Sequence, residues 1–224
     1  MSSESLWGLS YSVSDVWQHP RSYILDLHKD LEYEEISLIG LPFENEDAFH
    51  IGALTGLKLL FISRAIVTDS GLEIISKLTN LRRLEISFLT PDQRITDQGF
   101  SQLANLSKLR RLQLGNVHIL EDGFFHLAKL SNLENLTIDC EQITEIGFRH
   151  LTGLKNLKYL TLDCEQIDKD GLEHISELTK LKSLVILNNS LALDIIFLRN
   201  HPDLNAKYNG SYKEADRHRH SFGF

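Results

Sequence analysis

The most regular feature of the chain is a frame of leucines that recurs along most of its length. The frame begins at steps of 24, 28, 24, 24 and 24 residues, at Leu54, Leu78, Leu106, Leu130, Leu154 and Leu178. The one long step contains the sequence LTPDQR around Pro91. A nearly constant period of this length is typical of a repeat architecture, in which each repeat forms one structural unit.

Each repeat joins a short alternating segment to a helical one. Segments such as LTNLRRLEIS and LSNLENLTID carry apolar residues at positions 1, 4, 7 and 9, and this alternation predicts a half-buried strand. They are followed by ITDQGFSQL, ITEIGFRHL or IDKDGLEHI. In these segments, Thr or Asp at the N-cap, acidic residues in the first turn and apolar residues three apart predict a short helix. One helix position always holds glycine, which lets coils approach closely: Gly71, Gly99, Gly123, Gly147 and Gly171.

These repeats predict the fold class. A degenerate repeat precedes Leu54 and a closing repeat follows Leu178, which gives about seven coils. Because one coil cannot bury its apolar strand face alone, we expect the coils to stack into a right-handed α/β solenoid, with a parallel sheet on the concave side and short helices on the convex side. We predict an N-terminal cap over residues 1–29, the solenoid over 30–201 and a loose C-terminal tail over 202–224.

The pattern L-x-x-L-x-L-x-x-x-x-I-T-D-x-G-L-x-x-L occurs from Leu81 to Leu103, apart from its insertion, and from Leu133 to Leu151, with Glu145 in place of Asp. It resembles the leucine-rich repeat family, and its phase is similar to the short 24-residue bacterial-type repeats. It is also similar to the cysteine-containing repeats of F-box proteins, although there the cysteine stands later in a longer repeat. The resemblance implies a non-catalytic surface that binds another protein.

Residues that alternate with the core leucines should point out of the concave face. We expect the partner-binding surface to include Leu59, Phe61, Arg83, Glu85, Arg111, Asp139, Glu141, Tyr159, Asp163 and Glu165. Phe61 and Tyr159 would serve as anchors, while the charged residues would steer the partner and set its register. Two alternatives stay open: Arg83 and Arg111 could simply pair with Glu85, and Leu59, Phe61 and Ile39 could be covered by the N-terminal segment.

Charge favours a basic protein as the partner. Residues 130–177 hold ten acidic residues against four basic ones, in a chain whose net charge is −8. Stacking should place Asp139 beside Asp163, and Glu141 beside Glu165, on strands about 4.8 Å apart. Like charges at that separation repel by about 1 kcal/mol or less in a watery setting, and a basic partner would relieve this repulsion. We therefore expect a protein with a basic surface as the partner, and not a nucleic acid.

The only two cysteines stand in two copies of the sequence DCEQI, at residues 139–143 and 163–167. They lie one repeat apart with no histidine in either loop, which does not fit a zinc site. A disulfide is within reach, but we expect free packed thiols, because side chains on parallel strands point alike and the compartment is expected to be reducing. A calcium ion held by the carboxylates of the two copies stays open.

The common catalytic and cofactor-binding motifs do not occur in this sequence. It contains no G-x-S-x-G elbow, no phosphate-binding glycine loop and no H-E-x-x-H. The recurring His126, His150 and His174 are expected to be partly exposed helix residues. We therefore expect no enzymatic activity and no cofactor.

A functional hypothesis follows from the acidic half of the repeat array. The N-terminus lacks the features of a signal peptide, and no stretch is long and apolar enough for a membrane span, so we expect a cytoplasmic protein. We hypothesise an inhibitor or immunity protein that neutralises a basic toxin such as a nuclease. The alternative is an adaptor or substrate receptor of a degradation or signalling complex, with residues 1–29 as the recruiting element.

Overall fold

The structure, a computed structural model, describes residues 9–11, 34–38, 43–88, 95–167, 169–187 and 205–209. The strands in these ranges are β1 (Leu9–Tyr11), β2 (Glu35–Leu38), β3 (Phe43–Glu44), β4 (Leu59–Ile66), β5 (Arg83–Phe88), β6 (Arg111–Val117), β7 (Asn135–Ile143), β8 (Tyr159–Ile167), β9 (Ser183–Leu187) and β10 (Asn205–Asn209). The helices are α1 (Asn45–Ile51), α2 (Asp69–Ile75), α3 (Asp97–Leu103), α4 (Glu121–Leu127), α5 (Glu145–Leu151) and α6 (Lys169–Leu172), which continues as a 3₁₀ helix over Glu173–Glu177.

The strands form one parallel sheet in the order β1-β2-β4-β5-β6-β7-β8-β9-β10, and β3 pairs with β4 off this path. Equivalent leucines pair directly, as Leu60 does with Leu84 and Leu136 with Leu160. The insertion at residues 89–94 lies outside the described residues, yet Leu84 still pairs with Leu112 across it. The strands β2 and β4 to β9 correspond to the seven expected coils, so the parallel-sheet solenoid predicted from the repeat is confirmed.

The core lies between the sheet and the row of helices. Buried apolar residues alternate with partly exposed, mostly polar residues along β6 and β7, which leaves one sheet face on the core and the other turned outward. The helices contribute one fully buried phenylalanine per coil in three consecutive coils, namely Phe100, Phe124 and Phe148. Leucines of the frame, such as Leu106 and Leu154, are also fully buried. The repeat thus supplies a continuous core that no single coil could form.

A ladder of hydrogen bonds joins the starts of the first four helices, α1 to α4. Asp69, the first residue of α2, accepts bonds from the backbone N–H of Thr96 at 2.8 Å and from its hydroxyl at 2.6 Å. Asp97 of α3 likewise accepts from the backbone N–H of Leu120 at 2.7 Å, and Asn45 of α1 accepts from that of Thr68 at 3.0 Å. These side chains satisfy backbone donors that a helix start would otherwise leave unpaired. The first-turn acids therefore connect neighbouring coils.

The recurring helix glycines are explained by close approach between coils. A Cβ atom on Gly71 would lie 2.5 Å from Oδ1 of Asn45, and one on Gly147 would lie 2.9 Å from the ring of Phe124 in the preceding helix. At Gly99 and Gly123 the obstructing groups are the ladder carboxylates Asp69 and Asp97. The predicted structural role of these glycines is confirmed.

Both ends of the sheet carry a strand that the repeat pattern did not predict. Leu9–Tyr11 pairs with β2, and Asn205–Asn209 pairs with β9, both in parallel. The first lies in the segment expected as a cap and the second in the segment expected as a loose tail. The boundaries of the cap, the solenoid and the tail stay a prediction, but the described parts of both end segments continue the sheet.

Candidate functional site

The outward face of the sheet is organised in rows that cross the strands. One residue from each of the seven coil strands, β2 and β4 to β9, stands in the first row: Glu35, Leu59, Arg83, Arg111, Asn135, Tyr159 and Ser183. Two residues further along each strand, the second row contains Ser37, Phe61, Glu85, Gln113, Thr137, Thr161 and Val185. The structure therefore brings eight of the ten predicted contact residues to three rows of one surface. They are Leu59, Arg83, Arg111 and Tyr159 in the first row, Phe61 and Glu85 in the second, and Asp139 and Asp163 in the third.

Asp139 and Asp163 occupy directly paired positions on β7 and β8. Both side chains are partly exposed. On the other side of Asp139 stands Gly115, whose missing side chain leaves space: a Cβ atom there would be 3.9 Å from Oδ2 of Asp139. The predicted pairing of the two aspartates is thus confirmed.

The second predicted acidic pair is only partly described. Glu141 is exposed, and its Oε2 lies 3.4 Å from Nδ1 of His118. Glu165 belongs to β8, but its side chain lies outside the described residues. The expected contact between these two glutamates therefore stays a prediction. A cation bound between the two DCEQI copies also stays untested, because the Glu165 side chain, one of its four expected ligands, is not described. Among the described residues, no group of three or more metal-ligating side chains occurs.

Cys140 and Cys164 form a disulfide, which corrects the expectation of two free thiols. The two residues are register partners on β7 and β8, their Cα atoms are 4.9 Å apart, and both are buried. The expectation failed because it treated parallel side-chain directions as an obstacle. Neighbouring parallel strands already place the Cα atoms within the range that a disulfide spans, so a small rotation of each side chain is enough.

Glu85 ties together two arginines from neighbouring strands. Nε of Arg83 donates to Oε1 of Glu85 at 2.6 Å, and Nη1 of Arg111 forms an ion pair with the same oxygen at 3.9 Å. Glu85 is only 6% exposed, so its carboxylate supports the two guanidinium groups from beneath. The predicted alternative, in which Arg83 and Arg111 pair with Glu85, is confirmed.

The predicted anchors differ in exposure. Tyr159 is 45% exposed and is among the most exposed large apolar side chains that the structure describes. Leu59 and Phe61 are half-buried and stand beside Arg83 and Glu85 in the two rows. Ile39, Trp7 and Trp17 lie outside the described residues. The expected apolar patch around Leu59 and its covering by the N-terminal segment therefore stay predictions.

Positive and negative charges occupy different positions along the strands. The residues that immediately precede the seven coil strands, β2 and β4 to β9, are mainly basic: Glu34, Lys58, Arg82, Arg110, Glu134, Lys158 and Lys182. Arg83 and Arg111 begin their strands, whereas Asp139 and Asp163 stand at the middle of β7 and β8 and Glu141 lies two residues further along β7. The outward face is therefore basic at the N-terminal ends of the strands and acidic from the middle of β7 and β8 onward.

Glu134 is held within the basic edge. Its Oε2 accepts a hydrogen bond from Nζ of Lys158 at 2.7 Å, and its Oε1 lies 3.6 Å from Nη1 of Arg110. The hydrogen bond from Lys158 is the main reason that the pKa of Glu134 is lowered, and the positive charges of Lys158, Arg110 and Lys180 lower it further. Glu134 is thus paired, and its lowered pKa keeps it ionised at neutral pH.

The helix side of the solenoid carries the recurring histidines. The ring of Phe125, which is 47% exposed, packs edge-on against the rings of His126 and His150, and Nζ of Lys129 lies 4.6 Å from its centroid. Nδ1 of His174 lies 3.3 Å from Oε1 of Glu177. These contacts are with neighbouring surface groups, as expected for partly exposed helix residues.

Comparison with protein families agrees with this architecture. A family model described as leucine-rich repeat region matches residues 37–202. The chain is a leucine-rich repeat protein. A comparison with curated protein sequences gives no match.

Solved structures of other leucine-rich repeat proteins have similar folds. Internalin F from Listeria monocytogenes is 24% identical with a TM-score of 0.55, over 82% of this chain and 47% of that one. Internalin C2 from the same organism is 25% identical with a TM-score of 0.56, over 77% of this chain and 69% of that one. This leucine-rich repeat chain thus spans about half the length of internalin F.

A plant protein shows the same fold at lower identity. The ectodomain of the Arabidopsis thaliana membrane receptor kinase GASSHO1/SCHENGEN3, in complex with CASPARIAN STRIP INTEGRITY FACTOR 2, is 16% identical with a TM-score of 0.51, over 80% of this chain and 24% of that one. Leucine-rich repeat proteins are generally non-catalytic binding modules, and the family match over residues 37–202 indicates a module for protein–protein interaction. Within the described residues, no helix has the length and apolar character needed to cross a bilayer.

Proposed function

We propose that this leucine-rich repeat protein binds another protein on the outward face of its sheet, and that basic groups of the partner meet Asp139 and Asp163. The direct pairing of these two carboxylates on β7 and β8 is the observation that carries the proposal. Two like charges on adjacent strands about 4.8 Å apart repel each other. A lysine or arginine of a partner placed between them would reduce that repulsion.

The surroundings of the pair support a docking surface. Tyr159 is exposed on the same strand as Asp163 and offers a flat aromatic side chain of the kind that often anchors interfaces. Between the aspartates and the arginines lie neutral polar residues, including Thr137 and Thr161, on which an extended or flat partner surface can rest. Charged groups at the edge of such an interface mainly govern the rate of association and its dependence on salt.

The finer form of the proposal is that the partner is a basic toxin, such as a nuclease, and that binding covers its active cleft. The excess of acidic residues in the C-terminal half of the chain supports this form. It makes a separate prediction: the captured partner should carry a toxic enzymatic activity, and one equivalent of this protein should abolish it. A captured partner without such activity would contradict the inhibitor role and leave the interaction role intact.

The experiment begins with capture of the partner from the native host and purification of both proteins. Association rates are then measured from low to physiological salt for the wild type and for the double variant Asp139→Asn/Asp163→Asn. We expect slower association and a weaker salt dependence in the variant. Asp122→Asn/Glu173→Gln serves as the matched control, because it removes the same charge from exposed helix-side positions. Equal rates for the wild type and the first variant would refute the acidic docking site.

A further inference from the structure

A second charged site, of opposite sign, lies on the same outward face as the aspartate pair. It consists of Arg83 and Arg111, which are direct register partners on β5 and β6, and of Glu85 beneath them. Their guanidinium side chains are 42% and 44% exposed, whereas the Glu85 side chain is 8% exposed. Two positive charges share one buried carboxylate, so the group retains a positive charge toward solvent.

Glu85 uses only a small part of the hydrogen-bonding capacity of the two arginines. Each guanidinium group has five N–H donors, and the contacts with Glu85 use one oxygen of the carboxylate. The register partners on the flanking strands carry no second acid: Leu59 and Phe61 lie on β4, and Asn135 on β7 pairs with Arg111. Gln113, the partner of Glu85 on β6, is also neutral. The described neighbours therefore leave room for another carboxylate.

We propose that the Arg83–Arg111 pair binds an acidic side chain of the partner protein. An arginine fork matches the two oxygens of a carboxylate, and such charge-assisted contacts are stronger and more directional than those of a lysine. Glu85 acts as a positioning residue, because its buried carboxylate holds Arg83 at 2.6 Å and reduces the freedom that the guanidinium would lose on binding.

The two sites together specify how acidic and basic groups are arranged on the partner surface. Arg111 is the register partner of Asn135, which lies four residues before Asp139 on β7. Four residues of a strand span about 13 Å. A fitting partner surface therefore carries an acidic group and a basic group at about that separation. This inference rests on the proposed function in placing the partner on the same face, but it assigns a different group of the partner to a different pair of residues.

The test uses two synthetic peptides as probes, tetraglutamate and tetralysine, both acetylated and amidated at their ends. Each is titrated at low salt into the folded protein, and binding is followed through the Nε–H NMR signals of the arginines. We expect tetraglutamate to shift the Arg83 and Arg111 signals, and the Arg111→Gln variant to bind it about fivefold more weakly. Tetralysine affinity should not fall in this variant.

Arg149→Gln is the matched control, since Arg149 is 61% exposed on the helix side and pairs with Glu145. Arg111→Lys retains the charge without the fork and should lie between the wild type and Arg111→Gln. The inference would be overturned if tetraglutamate left the Arg83 and Arg111 signals unchanged, or if Arg149→Gln weakened its binding as much as Arg111→Gln. Failure of the proposed aspartate docking site would be recognised separately: the Asp139→Asn/Asp163→Asn variant would then bind tetralysine as tightly as the wild type does.

Discussion

Cys140 on β7 is bonded to Cys164 on β8, its register partner one coil later, and both lie on the core side of the sheet. The residues just before them, Asp139 and Asp163, point to the opposite face, because successive side chains alternate along a strand. The disulfide therefore links the two strands directly behind the carboxylate pair. It fixes the spacing of those carboxylates as well as the stacking of two coils.

Removing this disulfide should destabilise the protein. The bond closes a loop of 24 residues, for which the chain-entropy model gives about 3 kcal/mol of stabilisation. We expect Cys140→Ala/Cys164→Ala to lower the free energy of unfolding by about that amount or more, since two buried side chains are also shortened. Urea unfolding without reductant measures the change.

The wild type in reductant is the control for the lost side chains, because it retains both sulfur atoms. It should show most of the loss seen in the double variant. A thiol titration of the denatured, unreduced protein gives an independent check. Two free thiols per chain there would contradict the disulfide.

Gly99→Ala should destabilise the protein even though alanine favours helices. An added Cβ atom would lie 2.9 Å from Cγ2 of Ile95 and would also meet the Asp69 carboxylate, which accepts two hydrogen bonds from Thr96. We expect a loss of about 1–3 kcal/mol from this overpacking, against a gain of up to about 1 kcal/mol from helix propensity. Thermal or urea unfolding measures the net effect.

Gly115→Ala provides the matched control on the strand side. A Cβ atom there approaches the Asp139 carboxylate only to 3.9 Å, an ordinary van der Waals contact. Its effect should lie within about 0.5 kcal/mol. Equal stability changes for the two alanine variants would show that close approach between coils does not explain the helix glycines.

Lys158→Gln should raise the pKa of Glu134 toward its ordinary value. In the folded protein this pKa is lowered, first by the hydrogen bond from Lys158 and then by the charges of Lys158 and Arg110. A group whose folded pKa lies below its unfolded pKa stabilises the fold above the unfolded value, and this contribution is lost as the pH falls through the folded value. The pair should therefore contribute at neutral pH and not in strong acid.

Carbon-13 NMR titration of the Glu134 carboxyl group measures this directly. Lys155→Gln is the control, because Lys155 lies in the same coil and is not among the groups that lower this pKa. An unchanged Glu134 pKa in Lys158→Gln would show that the hydrogen bond seen at 2.7 Å does not persist in solution.

Much of the candidate site could be predicted because register follows from periodicity. Once the leucine frame aligns the strand of one coil with that of the next, their outward residues must lie beside each other, as Arg83 lies beside Arg111 across the insertion and Asp139 beside Asp163. The pairing of both arginines with Glu85 was foreseeable for the same reason, since Glu85 stands two residues after Arg83 on the same face. Neither prediction needed atomic coordinates.

Other features could not be predicted, because they depend on distances or on segments outside the repeat. A disulfide was within reach of the predicted register, but its formation also depends on the rotation of each side chain, which a sequence pattern does not specify. The hydrogen bonds that Thr96 donates to Asp69 join two helices across an insertion, and a first-turn acid alone suggests only a favourable interaction with its own helix. The strand Asn205–Asn209 follows no leucine frame at all.

The sequence by itself determined the coil length, the core leucines and the residues that share the outward face, because side chains alternate along a strand and identical coils stack in register. Only the tertiary structure decided how charge is distributed on that face. Along the chain the acidic residues gather in the C-terminal half, but in the fold the basic residues also line the N-terminal ends of the strands, and Asp139 and Asp163 lie beside each other at the middle of β7 and β8. Charges far apart in sequence become neighbours when coils stack, so the sign of each part of the surface is a property of the stacked array.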